Sequence, residues 1–189
     1  MLCIQQNYFF VENSKETGSC RLNSLTKFTA LRNSSINDDF LHKLLEISPN
    51  LHHLEIHYES LQSSFDNESL CILLKHHITH IYMLITSTTD IESVISSIPR
   101  LPSMLPYLKH IYFFFDVVSP FCELLISTVL KYLSEWRSLV SFGVVGTGLT
   151  ITKATISNDP LQWVLNNSNL HEQDSFTVDF TDDTFRLWL

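Results

Sequence analysis

The sequence predicts an α/β fold, a short solenoid in which parallel strands follow one another in chain order on one face and helices lie on the other. Three observations carry this. A strand-like pattern with apolar residues at offsets 0, 3 and 5 occurs five times at a near-constant interval. Helical patterns fill the stretches between the copies. The chain is 189 residues long, 44% hydrophobic and only 17% charged, which fits one globular domain burying roughly 70% of the surface its unfolded form exposes.

The elements come in order. Residues 1–24 form an irregular N-terminal segment with one strand, Tyr8 to Val11, and a polar loop, ENSKETGSC. Residues 25–170 hold about five strand-helix units. Their strands begin at LTKFTA (Leu25, Phe28, Ala30), LHHLEI (Leu51, Leu54, Ile56), ITHIYM (Ile78, Ile81, Met83), LKHIYF (Leu108, Ile111, Phe113) and LVSFGV (Leu139, Phe142, Val144), at intervals of 26, 27, 30 and 31 residues. Side chains alternate along a strand, so offsets 3 and 5 face the core and offsets 2, 4 and 6 face away from it.

Helical periodicity appears in Phe40, Leu41, Leu44 and Leu45 after Asp38, in Leu70, Leu73 and Leu74 after Asp66, and in Ile91, Val94, Ile95 and Ile98 after Asp90. A fourth helix runs through Phe121, Leu125, Val129, Tyr132, Leu133 and Trp136, opened by Ser119 and Pro120; a short fifth follows Asp159 and Pro160. The polar residue before each run is the expected cap for orphan backbone donors. The links SPN, MLPY and EWRS then return the chain to the next strand. Residues 171–189 alternate as Phe176, Val178, Phe180 and as Phe185, Leu187, Leu189 around TDD, which predicts a strand pair capping the last sheet edge. The near-continuous apolar runs IYMLI and IYFFF also fit an alternative, a doubly wound open α/β sheet hosting a small enzyme or ligand-binding domain.

The L-x-x-L-x-L strands, each followed by a helix at intervals of 26 to 31 residues, resemble a leucine-rich-repeat chain of the ribonuclease-inhibitor-like kind. More narrowly they are similar to the repeat region of F-box leucine-rich-repeat proteins, over about residues 22–170. The usual ladder Asn or Cys after the strand is missing, with Glu59 and Asp116 near that place, and no F-box precedes the repeats. The resemblance implies a non-enzymatic protein-binding module, the substrate-reading part of a ubiquitin-ligase adaptor lacking its F-box.

Stacked strands align equivalent residues in columns about 4.8 Å apart. Offset 2 gives Lys27, His53, His80, His110 and Ser141; offset 4 gives Thr29, Glu55, Tyr82, Tyr112 and Gly143; offset 6 gives Leu31, His57, Leu84, Phe114 and Val145. This face is polar at its start and aromatic further on, the character of a partner site. The candidate partner-binding residues are His53, Glu55, His57, His80, Tyr82, Leu84, His110, Tyr112 and Phe114. Histidine is a common zinc ligand, but parallel imidazoles in a straight row do not converge tetrahedrally, so no metal or other cofactor is expected. Mutual repulsion along the row is expected to make His80 titrate below a free histidine.

Other classes are excluded by pattern. A net charge of −8 without any Lys/Arg cluster removes the phosphate-neutralising term of nucleic-acid binding. The start MLCIQQNYFF lacks a basic n-region, and no apolar run approaches the roughly 18 residues of a membrane span, so neither a signal peptide nor a membrane is expected. Cys3, Cys20, Cys71 and Cys122 have no C-x-x-C spacing and read as reduced thiols of an intracellular protein, cytoplasmic or nuclear. GVVGTG (143–148) reverses the dinucleotide fingerprint, and LTITKATI after it reads as extended rather than helical. The histidines of HHITH straddle a helix end and a strand start, and Asp179, Asp182 and Asp183 read as turn residues. No G-x-S-x-G, H-E-x-x-H or P-loop occurs, and no catalytic residue is expected.

Overall fold

The computed structural model describes residues 21–30, 36–116, 121–146, 149, 156, 159–171, 173–181 and 183–189. Seven strands form one open, mostly parallel sheet: β1 (Lys27–Ala30), β2 (His53–His57), β3 (His80–Ile85), β4 (His110–Phe115), β5 (Ser141–Gly146), β6 (Thr177–Phe180) and β7 (Thr184–Trp188). Their spatial order is β1-β2-β3-β4-β5-β7-β6. The first five are parallel and adjacent in chain order, and the last two add antiparallel at the β5 edge. A doubly wound sheet needs a reversal of strand order, and the five parallel strands show none.

The same local device starts each strand. The amide of the offset-2 residue donates to the offset-1 carbonyl of the strand before: His53 to Thr26, His80 to His52, His110 to Thr79 and Ser141 to Lys109, at 3.1, 3.0, 3.1 and 3.0 Å. One repeated bond fixes the register four times. Because a one-residue slip would turn every inward side chain outward, this register places Leu54, Ile56, Ile81, Met83, Ile111, Phe113, Phe142 and Val144 in the core, each fully buried.

Helices α1 (Asp38–Ile47), α2 (Tyr58–Ser64), α3 (Glu68–His77), α4 (Ile91–Ser97), α5 (Leu101–Met104), α6 (Cys122–Lys131) and α7 (Pro160–Asn167) occupy the connections. Leu41, Leu45, Leu70, Leu74, Val94, Leu125, Val129 and Val164 join the strand residues in a single core cluster. The caps of α1 and α3 differ from expectation: Asn37 accepts from the Phe40 amide and Asn67 from the Leu70 amide. Asp38 instead takes the Ser63 hydroxyl at 2.7 Å, and Asp66 pairs with Arg100 at 3.3 Å. Asp90 and Asp159 do cap α4 and α7, with Pro160 in the first turn of the latter.

Three further departures have physical causes. Helix α2 follows β2 directly, because Tyr58, Leu61 and Phe65 recur at helical spacing and all bury. The helix begun at Ile91 becomes a 3-10 turn over Ile98–Arg100 before α5, where Pro99 and Pro102 each remove a backbone donor. Leu149 and Ile156, expected in an extended stretch, are helical and fully buried. The proposed strand Tyr8 to Val11, the opening pair Ser119 and Pro120, and Asp182 lie outside the described residues. The C-terminal pair forms as expected, with Phe185 and Leu187 fully buried opposite Val144 and Phe142.

Candidate functional site

The second face of the sheet collects the offset-2, -4 and -6 side chains. Register aligns His53, His80 and His110 as Cα partners on β2, β3 and β4, and Glu55, Tyr82 and Tyr112 beside them. The imidazoles stack. His53 and His80 have ring centroids 5.5 Å apart and planes 6° from parallel; His80 and His110 are at 4.3 Å and 25°. The tyrosines continue the arrangement, Tyr82 on Tyr112 at 4.7 Å and on His53 at 5.1 Å.

Each end of the histidine stack is tied to a polar partner. His53 Nε2 lies 3.1 Å from Glu55 Oε1, and that carboxylate also meets Lys27 Nζ at 2.5 Å and accepts from the Thr29 hydroxyl at 2.7 Å. Burial alone would raise the Glu55 carboxyl; the hydrogen bonds from His53, Lys27 and Thr29 and the Lys27 charge outweigh it and hold the group down to about 2. At the other end the Ser141 hydroxyl is shared by His110 Nδ1 at 2.7 Å and the Tyr112 hydroxyl at 3.0 Å. Among the described residues, His80 in the middle has the Thr79 hydroxyl as its one side-chain hydrogen-bond partner, at 2.9 Å. Burial first, then the charges of His110, His53, His52 and Lys109, push His80 down to about 4. Mutual repulsion alone underlies the expectation from sequence, whereas burial is the larger cause. Burial, followed by Lys109 and His53, lowers His110 as well.

Of the expected contact residues, Phe114 is exposed at 45% and Tyr82 and Tyr112 are half-buried. Leu84 is not available for contact: only 8% of it is exposed, because His57 and Phe114 flank it in register on both sides. His57 is half-buried, and its Nε2 is buried without a hydrogen-bond partner among the described residues. Tyr112 lies across Gly143 so closely that a Cβ there would sit 2.5 Å from the ring. Gly146, at φ 154° and against the Phe115 carbonyl, ends β5 in a conformation that favours glycine. Packing therefore accounts for two of the glycines of GVVGTG.

Lys27, Thr29 and Ser141 stand in the columns of the first and fifth copies and could have been chosen from them. Arg186 was missed: it sits opposite Gly143 and Asp179, and its charge opposes the rise in the Tyr82 hydroxyl that burial, Tyr112 and Glu55 produce. Its position between buried Phe185 and Leu187 was the available signal. Asp179 is a β6 strand residue rather than a turn residue. His76 and His77 end α3 whereas His80 begins on β3, so HHITH is split between two elements.

Stacked imidazoles present faces rather than lone pairs to one another, and among the described residues no group of three or more His, Cys, Asp or Glu could hold a metal ion. Cys122 is buried, which pushes its thiol up to about 11, and Cys71 is raised by burial as well, so neither is an activated nucleophile. Among the described residues no helix is long and apolar enough to cross a membrane. Comparison with protein-family models, with curated proteins and with solved structures finds no match for this chain.

Proposed function

We propose that this chain is a non-enzymatic protein-interaction module, a short leucine-rich-repeat-like solenoid that holds a protein segment against the second face of its sheet. The observation that carries the reading is the chain-order pairing of β1 to β5, which lines up equivalent side chains in continuous columns. Parallel crossovers are right-handed; steps taken always in one direction across the sheet therefore bank the connecting helices on one side and leave the other for recognition. Tyr82, Tyr112 and Phe114 supply rigid aromatic area in the middle of that side, with Glu55 and Arg186 toward its ends. The finer role implied by the resemblance, recognition of a ubiquitin-ligase substrate, belongs to the same face and requires a ligase scaffold joined by other means.

The test is affinity purification with mass spectrometry on the intact chain and on a Tyr112→Ala, Phe114→Ala double variant that melts at the same temperature. A protein enriched by the intact chain and lost from the variant supports the module, and co-recovery of ligase scaffold subunits supports the finer role. Equal recovery with both chains, or none over an empty control, rejects the face as a recognition surface.

A further inference from the structure

The histidine stack does something that a recognition face alone does not need. Three imidazoles in face-to-face contact on adjacent strands form a cluster whose members cannot all carry protons without placing like charges 4.3 to 5.5 Å apart, ring to ring. Among the described residues, His53 alone of the three has a carboxylate beside it. The tyrosine row leans on the stack at two points: Tyr82 lies flat on His53, and Tyr112 shares the Ser141 hydroxyl with His110.

We propose that His53, His80 and His110 form a proton-sensitive clasp, closed while the stack is largely neutral and opened by acid, so that Tyr82 and Tyr112 are released from their fixed orientation. The proposal stands whether or not the face binds a protein.

The groups around the clasp come from every neighbouring element. From β1, Lys27 faces Glu55 and draws the carboxylate toward itself. On β2 and the residue before it are His53, Glu55 and His52, the last edge-on to His80 at 6.0 Å. Tyr82 lies beside His80 on β3. Lys109, the residue before β4, and Tyr112 on β4 lie near His110, while β5 offers the uncharged Ser141 hydroxyl. From β7, Arg186 acts on Tyr82. Among the described residues, Lys109 is the permanent cation acting on His80 and His110, and the nearby carboxylate, Glu55, is already held by Lys27, Thr29 and His53. Among the described residues, a proton arriving at the middle of the stack meets the Lys109 charge and no unengaged carboxylate.

The sign follows. An unfolded chain takes these protons near the ordinary histidine value of about 6.5, whereas folded His80 resists until about 4. The clasp's contribution is complete above about pH 6.5 and is lost as pH falls toward 4.

The test is an NMR titration of the intact chain from pH 8 to pH 4, reading the His80 imidazole and the Tyr82 and Tyr112 ring resonances together. The expected result is a His80 midpoint at least about one pH unit below free histidine, with both tyrosine rings shifting at that same midpoint. His80→Phe retains an aromatic face without a proton site and should abolish the tyrosine shift; if that chain does not fold, His110→Gln, which removes the closer charge, should raise the His80 midpoint. A His80 midpoint at or above the free value, or tyrosine rings that stay fixed while His80 titrates, overturns the clasp.

Discussion

At the scale of single residues, the second face is organised by a few shared polar partners, the Glu55 carboxylate and the Ser141 hydroxyl. Glu55 is the most constrained: with the carboxyl held down to about 2 against an ordinary 4.5, its contribution is present above pH 4.5 and disappears as pH falls through 2. Glu55→Gln should cost about 1–3 kcal/mol at pH 7 and flatten the unfolding curve's pH dependence between those limits, as urea titrations at several pH values would reveal. Gly143→Ala places a Cβ into the Tyr112 ring, and about 1 kcal/mol of stability together with displaced Tyr112 ring resonances is the expected result. On the core side, Phe113 is fully buried, and Phe113→Ala should cost about 3–5 kcal/mol by chemical denaturation. Most of this is legible as columns: the offsets alone name His53, His80, His110, Tyr82 and Tyr112 as neighbours. What one dimension concealed was occupancy. Leu84 stands in one column with His57 and Phe114, yet it is 8% exposed where Phe114 is 45% exposed, a difference that a count of offsets does not carry.

At the scale of elements, helix starts distinguish a capping side chain from its neighbour. Asn67 accepts from the Leu70 amide at 3.2 Å, whereas Asp66 is an exposed partner of Arg100. Asn67→Ala should therefore lower stability by about 1 kcal/mol, and Asp66→Ala by less than that; thermal melts of the two variants decide between them. Asp and Asn are equally good caps, so two adjacent candidates at Asn37–Asp38 and Asp66–Asn67 left the choice open to one residue. The strands were readable because each is short and begins at the same offset, with the links SPN, MLPY and EWRS standing before β2, β4 and β5. Helix α2 escaped because Tyr58 directly continues the alternation of Leu54 and Ile56, and period 2 gives way to period 3.6 at Leu61 without a Gly or Pro to mark the change.

At the scale of the whole molecule, β1 to β5 pair in chain order, and under the proposed solenoid reading stability is carried from one unit to the next rather than by contacts between distant ones. The β5 edge would be bare without β7, which lays Phe185 and Leu187 over Val144 and Phe142. Removing residues 174–189 should expose that edge and give a chain that aggregates below the melting temperature of the intact one, visible by light scattering on heating. Chain order itself was the property most open to error from sequence, since apolar strands such as IYFFF fit a sheet of either winding; the near-equal intervals favoured the simple order because equal units stack without crossing. The most direct test is the measurement of scalar couplings across hydrogen bonds by NMR. Coupling of the His80 amide to the His52 carbonyl, of the His110 amide to the Thr79 carbonyl and of the Ser141 amide to the Lys109 carbonyl is the expected result. A coupling that joins any of these amides to a strand two or more places away would break the columns, and with them the recognition face.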